Sequence, residues 1–202
     1  RVMNGKADIR EDLGYNAEEI GRIKSNLRDL VFNEKFDLDS ITISAFASPE
    51  GSVRANGELS LRRARSASDY FSQYIKAVRD SLRDEAEYHI FFDGASEEEL
   101  RRVENSPADI RFISHSGGEN WEMLGSLVGS DEELSDAQKE DYRRTCEDIR
   151  DLDARERELS RKDSYRHLRE TLYPRLRIVR FDFALHRKGM VKDTVHTTVL
   201  DS

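Results

Sequence analysis

The chain has 202 residues, 37% of them hydrophobic and another 37% charged, with a formal net charge of -8 and a pI near 5.3. That length suffices for one sizeable core or for one domain carrying a long insertion, and the charge content puts many side chains on exposed helix faces. The acidic balance argues against a phosphate-tracking surface, so nucleic acid is not an expected partner, and no stretch approaches the ~20 apolar residues of a membrane-spanning helix.

The chain opens at Arg1 inside RVMNGKADIR, which reads as a strand and turn, and it does not open on a positively charged, apolar signal segment. We expect a fragment of a longer exported protein. Asn16 followed by Glu19 forms a capping arrangement that starts a helix. Ile20, Ile23, Leu27 and Leu30 then make one apolar stripe, against Arg22, Lys24, Arg28 and Asp29 outside it. Ser40 to Ala47 alternates Ile41, Ile43, Ala45 and Ala47 with smaller or polar residues and is the clearest strand. It runs into the turn Ser48-Pro-Glu-Gly-Ser52, where Pro49 fixes one φ and Gly51 permits unusual backbone angles.

A second helix is expected over about Leu59 to Val78, with Ala64, Ala67, Phe71, Ile75 and Val78 on its buried face and Arg62, Arg65, Asp69 and Lys76 mostly facing water. Strands are expected around Tyr88 to Phe92 and Ile110 to Ser114, flanking a short helix from Ser96 to Glu104 capped by Ser96. Gly117 and Gly118 should break the chain before a helix near Trp121 to Val128. Residues 130 to 160 mix Asp, Glu and Arg densely and read as a solvated helical insertion held by charge pairs three or four residues apart. Tyr173-Pro174 should stop helical structure, and Leu176 to Leu185 reads as a strand with Val179, Phe181 and Phe183 on one face and Ile178, Arg180 and Asp182 on the other.

The chemistry-bearing residues are sparse. Cys146 is the single cysteine and sits in a charged segment without a close histidine, as a helical cysteine. His89, His115, His167, His186 and His196 show no metal-ligand spacing; His115 lies in what reads as a polar loop. No nucleophile elbow and no phosphate-cradling glycine loop is present. We therefore expect no catalysis, no metal and no cofactor. Trp121 opens an apolar stripe with Leu124, Leu127 and Val128 and reads as a core or hinge anchor.

One segment is more specific. Ile41 to Phe71, ITISAFASPEGSVRANGELSLRRARSASDYF, resembles the signature region of the OmpA-like cell-wall-binding family: a strand ending in a turn, an Asn, then a helix opening with Leu-Ser and two arginines before Ala. The matching positions are Gly51, Ser52, Asn56, Leu59, Ser60, Arg62, Arg63 and Ala64. YPRLRIVRFDF is similar to the family's last strand, usually entered through arginines, and Gly-Glu-Asn-Trp at Gly118 to Trp121 resembles a divergent branch in outer-membrane-associated proteins. In such relatives the tail beginning near Lys188 often leads into helical repeats.

The resemblance implies an α/β (α+β) sandwich with an OmpA-like β-α-β-α-β core, a mixed sheet and a charged helical insertion. The core is expected over about residues 1–93, 108–128 and 173–188, the insertion over about 130–172, all within a single domain of a larger envelope protein. It also implies a periplasmic, outer-membrane-associated location and binding of peptidoglycan diaminopimelate, whose zwitterionic head requires an acid for its ammonium and a guanidinium for its carboxylate. Arg63 occupies the family's Arg position. Ser48 stands where the family has Asp; a neutral hydroxyl supplies no charge pair, which leaves Glu50, two residues on, as the replacement acid. Asn56 braces the loop or contacts ligand. Arg63 reads either as a ligand group or as a helix-start arginine paired with a neighbouring carboxylate. Two functions follow: a wall-binding module using Ser48, Glu50, Asn56 and Arg63, or a scaffold for other envelope proteins in which that pocket has lapsed.

Overall fold

The computed structural model describes residues 16–33, 35–93, 101, 110–188 and 195–199. The elements in chain order are α1 (Asn16–Val31), β1 (Phe36–Ala47), α2 (Val53–Asp93), β2 (Arg111–Glu119), α3 (Trp121–Ser130), α4 (Asp136–Asp148), α5 (Leu152–Leu159), α6 (Tyr165–His167), β3 (Val179–Arg187) and β4 (Val195–Val199). Between α6 and β3 run a π-helical turn, Leu168–Leu172, and a 3-10 turn, Tyr173–Leu176. The fold is α+β: helices pack on a mixed sheet of order β2-β1-β3-β4. β3 and β4 are antiparallel, in a register running from Phe181 opposite Val199 to Leu185 opposite Val195.

β1 has a neighbour on each side, and buried residues lie on both of its faces: Ile41, Ile43 and Ala45 on one, Ser40 and Ser44 on the other. Its run of β-branched and small residues suits a pleated surface covered in this way. α2 spans 41 residues because its cap lies earlier than the apolar periodicity and nothing ends it later. Ser52 Oγ accepts from the Ala55 N–H at 3.2 Å as an N-cap. No glycine or proline then occurs between Gly57 and Gly94.

The expected strand at Tyr88 to Phe92 is therefore the last turns of α2. Tyr88 and Phe91 are 56% and 78% exposed there, unlike residues of a half-buried strand. A short apolar run is ambiguous in period, and the uninterrupted helix preceding it decides the outcome. β2 likewise continues through Gly117 and Gly118, where a break was expected. A Cβ on Gly117 would overlap the Phe46 ring of β1, so the glycine is what permits that close approach. Helical structure passes Pro174 and ends at Leu176, because proline is tolerated in the first turn of a new helical segment. β3 consequently starts at Val179, with Phe181 and Phe183 buried on the face expected of them. β4 was not anticipated. The opening segment, the 96–104 helix and the Asn16 side chain lie outside the described residues.

The chain divides into two compact units. One comprises Ser44–Ala64 and His115–Val179 among its described residues. Its core joins Leu124, Leu127 and Val128 of α3 to Leu134, Tyr142 and Leu159, and to Leu168, Leu172, Tyr173 and Leu176. The charged segment thus contributes inward-facing residues, with its ion pairs, such as Arg143 with Glu140 and Glu147, on the exposed side. Ser135 caps α4 in a reciprocal box with Gln138, and Asn120 caps α3. The other unit takes its described residues from the spans Ile9–Ile43, Arg65–Ser114 and Arg180–Ser202. There Ile20, Ile23, Leu27 and Val31 of α1 are buried, as are Ala67, Phe71 and Ile75 of α2. Phe71 meets Phe181 edge-on with ring centroids 5.1 Å apart. Full burial of each such side chain contributes about 1.5–3 kcal/mol. Among the described residues no helix is long and apolar enough to cross a membrane.

Candidate functional site at the end of strand β1

The site belongs to the unit containing Ser44–Ala64 and His115–Val179. β1 ends at Ala47, whose carbonyl accepts from the Asn120 N–H at 3.0 Å, and the turn beyond it carries Ser48 and Glu50. Gly51 has φ of 101°, a conformation that favours glycine, and it reverses the chain into α2. The first amide of α2, Val53 N–H, donates to Asp153 Oδ1 of α5 at 2.9 Å. Asp153 therefore caps the helix that carries Asn56 and Arg63.

Ser48 and Glu50 are brought together, and the group that joins them is Arg177. Its Nη2 lies 2.7 Å from Glu50 Oε2 and its Nε donates to Ser48 Oγ at 3.2 Å. Ser48 Oγ lies 3.5 Å from the same Glu50 oxygen. The other carboxylate oxygen accepts from Arg169 Nε at 2.9 Å. Arg177 is inside, its side chain 13% exposed, whereas Arg169 reaches in from solvent at 61%. Arg169 belongs to the π-helical turn, a wide turn that recurs at functional sites.

Arg63 and Asn56 take different partners. Arg63 is only 2% exposed and donates to the Phe46 carbonyl at 3.4 Å. Its pKa is pulled down to about 10, first by burial and then by the guanidiniums of Arg177 and Arg62. It remains charged at neutral pH, beside like charges. Asn56 donates to Glu119 Oε1 at 2.7 Å, and Trp121 Nε1 donates to the other oxygen of that carboxylate at 2.8 Å. Burial holds the Glu119 carboxyl above its ordinary pKa, against the pull of both bonds. The Arg155 guanidinium lies 4.9 Å from the Trp121 ring centroid. Nearby, Glu156 accepts from Tyr165 at 2.8 Å and Tyr173 at 2.6 Å, and burial raises its pKa too.

The residues that motif reading missed are Arg177, Arg169, Glu119 and Asp153. Arginines at the entry to the last strand and the Gly-Glu-Asn-Trp run were signals for Arg177 and Glu119. Arg169 and Asp153 carried none, each being one charge among many. Of the remaining candidates, His115 is exposed on β2, in a strand and not in the loop expected of it. Cys146 lies in α4, and burial pushes its thiol pKa up, away from a reactive thiolate. Among the described residues no three His, Cys, Asp or Glu side chains are placed to hold a metal ion. Chemically, the strand end is a cluster of guanidiniums around one carboxylate, suited to recognising anionic oxygens. No family model, curated protein or solved structure matches the chain.

Proposed function

We propose that this chain is a non-enzymatic, OmpA-like domain of the Gram-negative periplasm, associated with the outer membrane, which binds the carboxylate-bearing stem peptide of peptidoglycan at the end of β1. The observation that carries this reading is the burial of Arg63 beside Arg177, at the turn that also holds Ser48 and Glu50. Packing like-charged guanidiniums together costs stability, and such arrangements concentrate where a charged ligand is received. Asn56, held by Glu119, braces the first turns of α2 behind that cluster. Other envelope proteins are the remaining partners of this reading.

The test is a calorimetric titration with a diaminopimelate-containing muropeptide, run alongside Arg63→Lys, which keeps the charge and loses the planar fork. Saturable heat weakened by the substitution, with both proteins folded by circular dichroism, supports wall binding. Absence of heat in both rejects it.

The second reading is a protein-interaction scaffold with a lapsed pocket. It is favoured by the inward commitment of the acid side: both oxygens of Glu50 are held by arginines of the chain itself, and Ser48 is only 4% exposed. In the other unit, exposed Tyr88 and Phe91 on α2 are the kind of side chains that protein partners cover.

A further inference from the structure

We infer that Arg177 and Arg169 are the carboxylate-recognising pair of this site and that Glu50 is its resident occupant, displaced when a ligand carboxylate enters. This rests on the wall-binding reading above and reverses the role that replacement of the family's Asp would give Glu50: it competes with the ligand's carboxylate and does not hold its ammonium.

The geometry is that of a carboxylate already bound. Glu50 presents one oxygen to Arg169 Nε at 2.9 Å and the other to Arg177 Nη2 at 2.7 Å, one guanidinium for each oxygen. Exchange for a second carboxylate leaves the charge of the cluster unchanged, so it does not meet the cost of stranding an unpaired buried charge. The neighbouring acids do not take part, since Glu119 is held by Asn56 and Trp121, and Glu156 by Tyr165 and Tyr173. The exchange also has a way in. Arg169 is 61% exposed, and an ion pair with so exposed a partner is easily opened. Glu50 stands on the turn beside Gly51, outside β1 and α2, so its side chain can swing without unravelling either element. Arg177, fixed to Ser48 Oγ at 3.2 Å, stays as the anchor.

The test titrates the 202-residue chain, its Glu50→Gln variant, Arg169→Ala and the double variant with a diaminopimelate-containing muropeptide, and with the same muropeptide amidated at its carboxylates. Thermal melts establish that each protein is folded. We expect Glu50→Gln to bind about tenfold tighter than the parent, Arg169→Ala to weaken binding severalfold in the Glu50→Gln background and little in the parent, where Glu50 loses the same contact, and the amidated muropeptide to lose the gain. A parent that binds while Glu50→Gln binds equally or more weakly overturns the inference and leaves wall binding standing. Where Glu50→Gln does not fold, Glu50→Asp, whose shorter side chain loosens its hold on both guanidiniums, takes its place, and binding no tighter than the parent's overturns the inference. No binding by any of the proteins overturns both the inference and the reading beneath it.

Discussion

Glu50 and Arg177 are 127 positions apart in sequence, and their side chains meet at 2.7 Å. The contact ties the turn after β1 to the residue that leads into β3, and both side chains are largely enclosed, at 17% and 13% exposure. Its energetics differ from those of the second ion pair on the same carboxylate, which has an exposed partner.

Arg177→Ala should therefore destabilise the chain by about 1–3 kcal/mol, because it leaves the buried Ser48 hydroxyl and one oxygen of Glu50 without their donor. Arg169→Ala should leave the unfolding midpoint unchanged, since its exposed pair is screened by solvent. Urea denaturation of the two variants, side by side, measures the contrast.

Two glycines should respond oppositely to alanine. At Gly117 the new methyl would overlap the Phe46 ring, and the substitution should cost about 1–3 kcal/mol, part of it recovered when Phe46 is also shortened to Leu. At Gly125, inside α3, nothing lies within 4 Å of the added Cβ. Alanine there should stabilise by about 0.5–1 kcal/mol through helix propensity. Equal effects at the two sites would contradict the packing of β2 against Phe46.

Stability against pH should carry two opposite contributions. Burial raises the Glu156 carboxyl above its unfolded value of 4.5, so the unfolded chain ionises first and stability falls as pH rises from 4.5 through the folded pKa. Glu156→Gln should remove that decline. The Asp131 carboxyl is held below 3.8, chiefly by its hydrogen bond with His167 and also by the amides of Leu134 and Glu133. Its contribution is present above 3.8 and is lost as pH falls through the lower folded value, so Asp131→Asn should flatten the acid limb alone. Unfolding free energies taken from pH about 2.5 to 7 separate the two.

Asp153→Ala removes the acceptor of the Val53 N–H at the start of α2. Amide exchange at Val53 should accelerate by about fivefold or more while the amides in the middle of α2 keep their protection. Uniform acceleration along the helix would mean that Asp153 supports the whole unit and not this helix start.

Much of this architecture was legible where a single period ran unopposed. The stripe of α1 from Ile20 to Leu27, the alternation in β1, the buried face of α2 from Ala64 to Ile75 and the inward phenylalanines of β3 lie where their spacing put them, because each buries one face of a regular element, whereas at the end of α1 Val31 is buried and Leu30 only partly so. The reading failed where the local signal was double-valued. Tyr88 to Phe92 is apolar enough for a strand, but it continues a helix that no residue interrupts. Gly117 and Gly118 look like a break, yet the first is small because a ring from the neighbouring strand occupies its side-chain space.

The site divides in the same way. The order of residues along the chain placed Ser48, Glu50, Asn56 and Arg63 around one turn and one helix start, since neighbours a few positions apart on a strand end and a helix must share a locality. Which of them pair was decided by tertiary structure alone. Arg177 and Arg169 reach Glu50 across 127 and 119 positions, Asn56 turns to Glu119 across 63, and Val53 is capped from Asp153 across 100. Such partners are chosen by the packing of distant elements and by the cost of leaving a buried charge or amide unmatched, and neither quantity is encoded in local spacing.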